Sequence, residues 1–471
     1  MRLLPFAAAC LVACVWLNQG RSLQHTDALF AESAVHPADH VLDRLRAPLL
    51  FLYRRSADEE LYFNVASAIR GLPYDRATMV AMRANAPASF RRLPEADGRW
   101  HRPYADVPLE YPAVMLPFIL APELLAPSSF ERFGKVFGVL MACCLLAGAA
   151  LAMRAQPWRR EPARAREGWW LVAAMLLAQG GLAIQRLDAV PAFFLAVALW
   201  AAVTRRPATL GFAMGLAVAA KLVPALLLPP LLLADRAFWG EKKAMVRLGA
   251  GLLAATALGF APMLVTPDAL ADVIRYHAQR GLHVESTYGV VLGVYRTLTG
   301  TVTPSTLSFG SWNLDGAAAG AFARVSTALT VLGIGALSWW VSRAQGAGEA
   351  GIGPGTPCLR ARADRVARAM LAALAIFWLT AKVFSPQYLT WAIPLAPALS
   401  GARGRRIGWL LVACMAVTQI YLRGYYDHVT EQRPLGMITM VVRLATLGAL
   451  LWFTLRPSPA SERAHDAAVT A

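Results

Sequence analysis

Charge is what this chain lacks most. Asp, Glu, Lys and Arg make up 16% of its 471 residues, against roughly 25% in ordinary soluble domains. With 57% hydrophobic residues, such a composition excludes a typical soluble enzyme. Cysteine is also scarce. Of six in total, Cys10, Cys14, Cys143, Cys144 and Cys414 fall in apolar runs and Cys358 in a basic loop. That placement excludes a disulfide framework and a zinc-binding spacing. Tandem repeats are missing, as is the two-fold internal symmetry that many transporters carry.

What the chain has instead is a series of apolar runs of roughly 13–24 residues, the mark of a multispan α-helical membrane protein. The net charge of +17 concentrates in short loops between those runs, at Arg154, Arg159, Arg160, Arg164 and Arg166, at Arg205 and Arg206, at Arg236, Lys242, Lys243 and Arg247, at Arg360, Arg362, Arg365 and Arg368, and at Arg403, Arg405 and Arg406. This positive-inside pattern orients the chain and argues against nucleic acid as a partner. With the basic loops inside, spans are expected near 3–19, 131–153, 168–184, 188–204, 208–220, 222–235, 247–266, 321–343, 368–383, 387–400, 407–424 and 435–456. That is about twelve, with both termini inside. Met1-Arg2 and the run to Leu17 read as an uncleaved signal anchor, because no small-residue cleavage site follows.

The expected fold class is an all-α integral membrane bundle, one polytopic domain over 1–456. A large first outer loop, 20–130, carries juxtamembrane helices. A second outer loop spans 267–320, a Gly-rich flexible inner loop 344–367, and a disordered inner tail 457–471. The run 111–126 is expected at the outer interface, because crossing there would put the arginines of 154–166 outside. The 208–235 region is expected as broken or tilted helices.

Sorting the unusual polar residues by side is informative. Asp58, Glu59, Glu110, Arg186, Asp188, Lys221, Arg280, Glu285, Lys382, Gln387, Tyr388, Asp427 and His428 all fall in outer loops or at outer span ends. Asp58 and Glu59 suit a helix start, with Ser56 and Glu59 spaced as a capping box, and also suit a general base. Lys221 interrupts an apolar run and must snorkel, pair or meet an anion. Lys382 heads a polar string, Lys-Val-Phe-Ser-Pro-Gln-Tyr, denser than a turn requires. Arg186 and Asp188 suit either a local salt bridge or a site. His277 and His283 lack a metal-ligand spacing, so no metal or other cofactor is expected. Arg443 is expected to face the bundle interior.

Carboxylates beside cations at a bilayer surface suit one reaction in particular. Cations hold a bilayer-anchored phosphate, and a carboxylate activates a hydroxyl that displaces it from a sugar. A transporter would instead place polar groups near mid-membrane and repeat its halves.

Several strings carry a family resemblance. They are Asp58-Glu59-Glu60-Leu61-Tyr62 with Gly71-Leu72-Pro73-Tyr74, then Leu109-Glu110-Tyr111-Pro112, and Arg186-Leu187-Asp188-Ala189-Val190-Pro191. Gly215 to Lys221 with Pro224, Arg280-Gly281 with Glu285-Ser286, and Phe384-Ser385-Pro386-Gln387-Tyr388-Leu389-Thr390-Trp391 complete the set. In order, over nearly the whole chain, they resemble the GT-C superfamily of membrane glycosyltransferases. The nearest likeness is to glycosyltransferase family 87, polyprenol-phosphate-mannose-dependent mannosyltransferases of bacterial envelopes. The resemblance implies a GT-C-like bundle in a bacterial inner membrane, with a polyprenyl-phosphate sugar donor and a lipid or glycan acceptor. It implies Asp58 as catalytic carboxylate, with Glu59 as a rival, and Lys221, Lys382, Arg186 and Arg280 as phosphate-binding cations. Tyr62, Glu110, Tyr111, Asp188, Glu285, Gln387 and Tyr388 would contact substrate. Tyr-Pro-Ala stands here where the family has Tyr-Pro-Pro, and the insert 76–107 is long and polar.

Overall fold

Three acidic residues in one turn open the first helix among the described residues of the computed structural model, which are 57–83, 88–155, 162–349 and 359–456. The expected anchor span, Ser56 of the capping box and the C-terminal tail lie outside those residues. Helix α1 (Ala57–Ile69) carries Asp58, Glu59 and Glu60 in its first turn, where carboxylates oppose the positive end of the macrodipole. Asp75 starts α2 (Arg76–Met82) by accepting from the Thr78 amide at 2.9 Å and its hydroxyl at 2.6 Å. The run 111–126 forms a 3-10 turn at 113–115 and then α3 (Leu116–Leu125). Its 10 residues reach about 15 Å, half of a roughly 30 Å hydrocarbon core.

Beyond this region the chain runs back and forth as α4 (Phe130–Arg154), α5 (Pro162–Gln179), α6 (Ala189–Val203), α7 (Pro207–Ala220), α8 (Leu228–Leu233) and α9 (Lys242–Leu264). After α10 (Ala269–Gln279) and α11 (Thr287–Thr299) it continues as α12 (Ala317–Glu349), α13 (Leu359–Thr380), α14 (Gly401–Gly424), the short α15 (Tyr426–Thr430) and α16 (Pro434–Leu455). Among the described residues, α4, α9, residues 317–343 of α12, α14 and α16 are long and apolar enough to cross a membrane. The structure is thus mainly helical and membrane-type, with shorter apolar helices such as α6 and α7 packed among the long ones.

Three features depart from expectation. The segment 387–400 is no continuous span. It folds as 3-10 turns at 386–392 and 396–398, because Pro386, Pro394 and Pro397 each remove a backbone donor and clash with a preceding carbonyl. It is nonetheless core, with Leu389, Trp391, Ile393 and Leu395 fully buried. Helices α12 and α13 occupy much of the expected 344–367 connector. The second outer region is not all-α. It contains a three-stranded antiparallel sheet ordered β1-β3-β2, with β1 at Leu282–His283, β2 at Ser305–Ser308 and β3 at Ser311–Leu314. Phe309 (φ 51°) and Gly310 (φ 67°) make the two-residue turn between β2 and β3. Positive φ at both positions matches strand twist.

The 208–235 region is broken as expected. Helix α7 stops at Ala220, and a 3-10 turn covers 223–227 before α8. The ring of Pro224 would collide with the carbonyl four residues earlier if the helix continued. Contacts between legs define two ends of the bundle. At one, Arg205 grips Asp235 through two bonds of 3.0 and 3.1 Å, Arg362 reaches the same carboxylate at 3.4 Å, and Arg403 donates to the Arg456 carbonyl at 2.8 Å. The other end carries the polar residues described next.

Candidate functional site

Asp58 stands in the first turn of α1, and Arg186, in the turn before α6, forms an ion pair with its carboxylate. Two residues on, Asp188 takes different partners. Its Oδ1 accepts from Lys221 Nζ at 2.6 Å and from the Trp391 indole N–H at 2.8 Å. Arg186 and Asp188 therefore each pair across elements. Lys221 sits where α7 breaks, with its ammonium 4.7 Å from the Tyr388 ring centroid and 5.6 Å from that of Trp391. It neither snorkels nor stands alone, because a carboxylate and two aromatic faces compensate its removal from water. Asp58, Arg186 and Lys221 keep 23%, 18% and 19% of their side-chain surface exposed, whereas Asp188 keeps 2%. The first three are reachable by a ligand; Asp188 serves to hold Lys221.

Tyr62 lies one helical turn beyond Asp58. Its hydroxyl is 3.3 Å from that of Tyr111, and the rings meet edge-on at 5.7 Å. Burial raises both phenols above their ordinary range. Glu110, beside Tyr111, pairs with buried Arg83 at 3.2 Å. The Glu110 carbonyl lies 3.4 Å from Nε2 of His277 on α10. His277 is exposed on α10, and the Arg280, Lys221 and Lys382 cations around it disfavour its protonation.

Lys382 donates to the carbonyls of Ala278 at 2.9 Å and Arg280 at 2.7 Å. It closes the C-terminal end of α10, where unpaired carbonyls favour a cation. An ammonium has three donors, so one remains for a ligand. Arg280 donates to the Ser311 hydroxyl at 3.1 Å, and its Nε is buried without a partner.

Ser286 caps α11 by accepting from the Gly289 amide at 3.0 Å, which fixes Glu285 just before the helix. Glu285 is enclosed. It accepts from Tyr421 at 2.5 Å and Tyr426 at 3.0 Å, and Arg443 lies 3.5 Å away. Burial raises its carboxyl against the opposing pull of Arg443. Arg443 faces the interior as expected, fully buried and 4.1 Å from the Phe384 ring centroid. Gln387 is half-buried beside Tyr388, and Asp427 and His428 lie on α15. Glu59 packs against Gly134 of α4, where a Cβ would come within 2.3 Å of its Oε1. Among the described residues no group of three or more His, Cys, Asp or Glu side chains could hold a metal ion, and burial keeps His283 neutral at about 3.

The candidates thus form one belt at a single end of the bundle. Arg83, Tyr421, Tyr426 and Gln179 belong to the same end without having been singled out in the sequence. Gln179 ties three elements, donating to the Pro386 carbonyl at 2.9 Å while its own carbonyl accepts from Gln419 at 2.6 Å. Its position at the end of an apolar run was the available signal; the others carry none. Comparison with protein-family models, curated proteins and solved structures finds no match to this chain.

Proposed function

We propose that the chain is a membrane glycosyltransferase. It moves a sugar, a hexose or pentose and foremost mannose, from a polyprenyl-phosphate donor to an envelope lipid or glycan. The reaction takes place at the outer face of a bacterial inner membrane. The observation that carries this reading is the pairing of a reachable carboxylate, Asp58, with Arg186, two residues before the Asp188 that holds Lys221. Arg186 and Lys221 bind the donor phosphate, with the spare donors of Lys382 and Arg280 behind them. Tyr62, Tyr111, Tyr388 and Gln387 line the sugar and acceptor side, while Glu110 and Glu285 hold neighbouring parts in place.

In this mechanism Asp58 takes the proton of the acceptor hydroxyl. The acceptor oxygen bonds to the anomeric carbon as the bond from that carbon to the phosphate oxygen breaks, with inversion. Polyprenyl phosphate leaves with the electron pair, stabilised by the cations. A phosphate leaving group needs no proton, so one carboxylate suffices where glycoside hydrolysis uses two.

The test is a transfer assay with purified protein, a panel of polyprenyl-phosphate sugars and membrane-lipid acceptors. Asp58→Asn should lower turnover by about 10²–10⁴-fold with folding intact. Full activity in both Asp58→Asn and Glu59→Gln would remove the base assignment. Lipid movement across vesicles with no sugar consumed would make the chain a transporter.

A further inference from the structure

At the opposite end of the bundle lies a cavity that the proposed reaction does not use. Its volume is about 250 Å³, and it opens between the end of α4, the starts of α5 and α14, and the 396–398 turn. Arg164 and Arg405 stand on its rim, Leu171 and Pro397 form apolar wall, and Trp170 and Trp409 flank it, 51% and 59% exposed. We propose that this cavity binds the headgroup of an anionic phospholipid from the leaflet at the basic end.

Four observations converge. Arginine is the side chain best matched to a phosphate, by its planar fork of donors and its weak hydration. Tryptophan at the edge of a helical bundle marks headgroup depth. Basic hollows between transmembrane helices suit anionic lipid headgroups. The hollow is small and open to the side, so it takes a headgroup while the acyl chains run along the two exposed indoles. Among the described lining residues Glu167 is a carboxylate, 3.9 Å from Arg405, with both side chains about 60% exposed. A pair so exposed is weak and yields to a phosphate. Arg406, beside Arg405 and over the Phe453 ring at 5.9 Å, adds to the local positive field. A soluble anion would gain nothing from the apolar wall and the indoles, which is why a lipid is the occupant.

Native mass spectrometry of the full-length protein in detergent tests this, with palmitoyl-oleoyl phosphatidylglycerol or phosphatidylcholine added. The wild type should retain phosphatidylglycerol at least tenfold more tightly. Arg164→Gln with Arg405→Gln should reduce that preference to within twofold. Arg164→Lys with Arg405→Lys, which keeps the charge, should hold an intermediate preference and shows that the positions tolerate substitution. Lys242→Gln with Lys243→Gln, at the same end but outside the cavity, should change it less than twofold. An unchanged preference in the cavity variant would overturn the proposal. So would an equal loss in the Lys242/Lys243 variant, or displacement of the lipid by millimolar glycerol phosphate.

Discussion

Asp188 has 2% of its side-chain surface exposed and meets one cation, Lys221, at 2.6 Å. Removing one partner of a buried pair leaves an uncompensated charge, a loss of about 3–5 kcal/mol. Lys221→Met should therefore lower thermal stability in detergent by about 3 kcal/mol. Adding Asp188→Asn should recover much of that loss, since Trp391 can still donate to the amide oxygen. Additive losses in this cycle would mean that the pair is not coupled. Both groups were visible in the sequence as oddities. Their partners were not, because Lys221 and Asp188 are 33 residues apart, and Trp391 lies 203 residues from Asp188. Periodicity carries no information at that separation.

Elements pack here through missing side chains. Helices α7 and α9 run side by side in the same direction, with Gly211 against Leu248, Gly215 against Leu252 and Ala255, and Ala219 against Gly259. A Cβ on Gly211 would lie 1.9 Å from the Leu248 carbonyl oxygen, and one on Gly251 would lie 2.3 Å from that of Ala208. Backbone cannot yield as a side chain can. Gly211→Ala and Gly251→Ala should each destabilise by about 1–3 kcal/mol, the usual overpacking penalty. Gly249 is on the same helix with nothing within 4 Å of its Cβ position. Gly249→Ala should be neutral or stabilising by up to ~1 kcal/mol, since alanine is the better helix former. Equal melting points for all three would show that the close approach is not what joins the helices. Apolar runs and charge located α4, α6, α7 and α16 to within one residue at each end, whereas the expected 407–424 begins six residues inside α14. They misjudged 387–400, where burial without helix reads like a span, and β1–β3, where strands of two to four residues are too short for any alternation to register.

At the scale of the whole molecule, the polar chemistry and the arginine clusters occupy opposite ends, and sidedness in the membrane decides what each end can meet. Sugar nucleotides are made inside the cell, so the proposed lipid-borne donor is required only if the Asp58 end faces out. Ala105 reports on that end. It is exposed, and its neighbour Tyr104 donates to the Tyr111 carbonyl at 2.8 Å. Ala163 is exposed near the start of α5, beside the basic cavity, and reports on the other. With the six native cysteines replaced, Ala105→Cys should react with an impermeant maleimide in intact cells whose outer membrane admits the reagent. Ala163→Cys should react only after the inner membrane is opened. Short basic loops stay on the cytoplasmic side during insertion, so both outcomes follow from the distribution of Arg and Lys. The reverse labelling pattern would place the carboxylate–cation belt among soluble nucleotide sugars. It would also move the arginine-rimmed cavity away from the anionic cytoplasmic leaflet. Both proposals would then fail together, although the pairings within the bundle would stand.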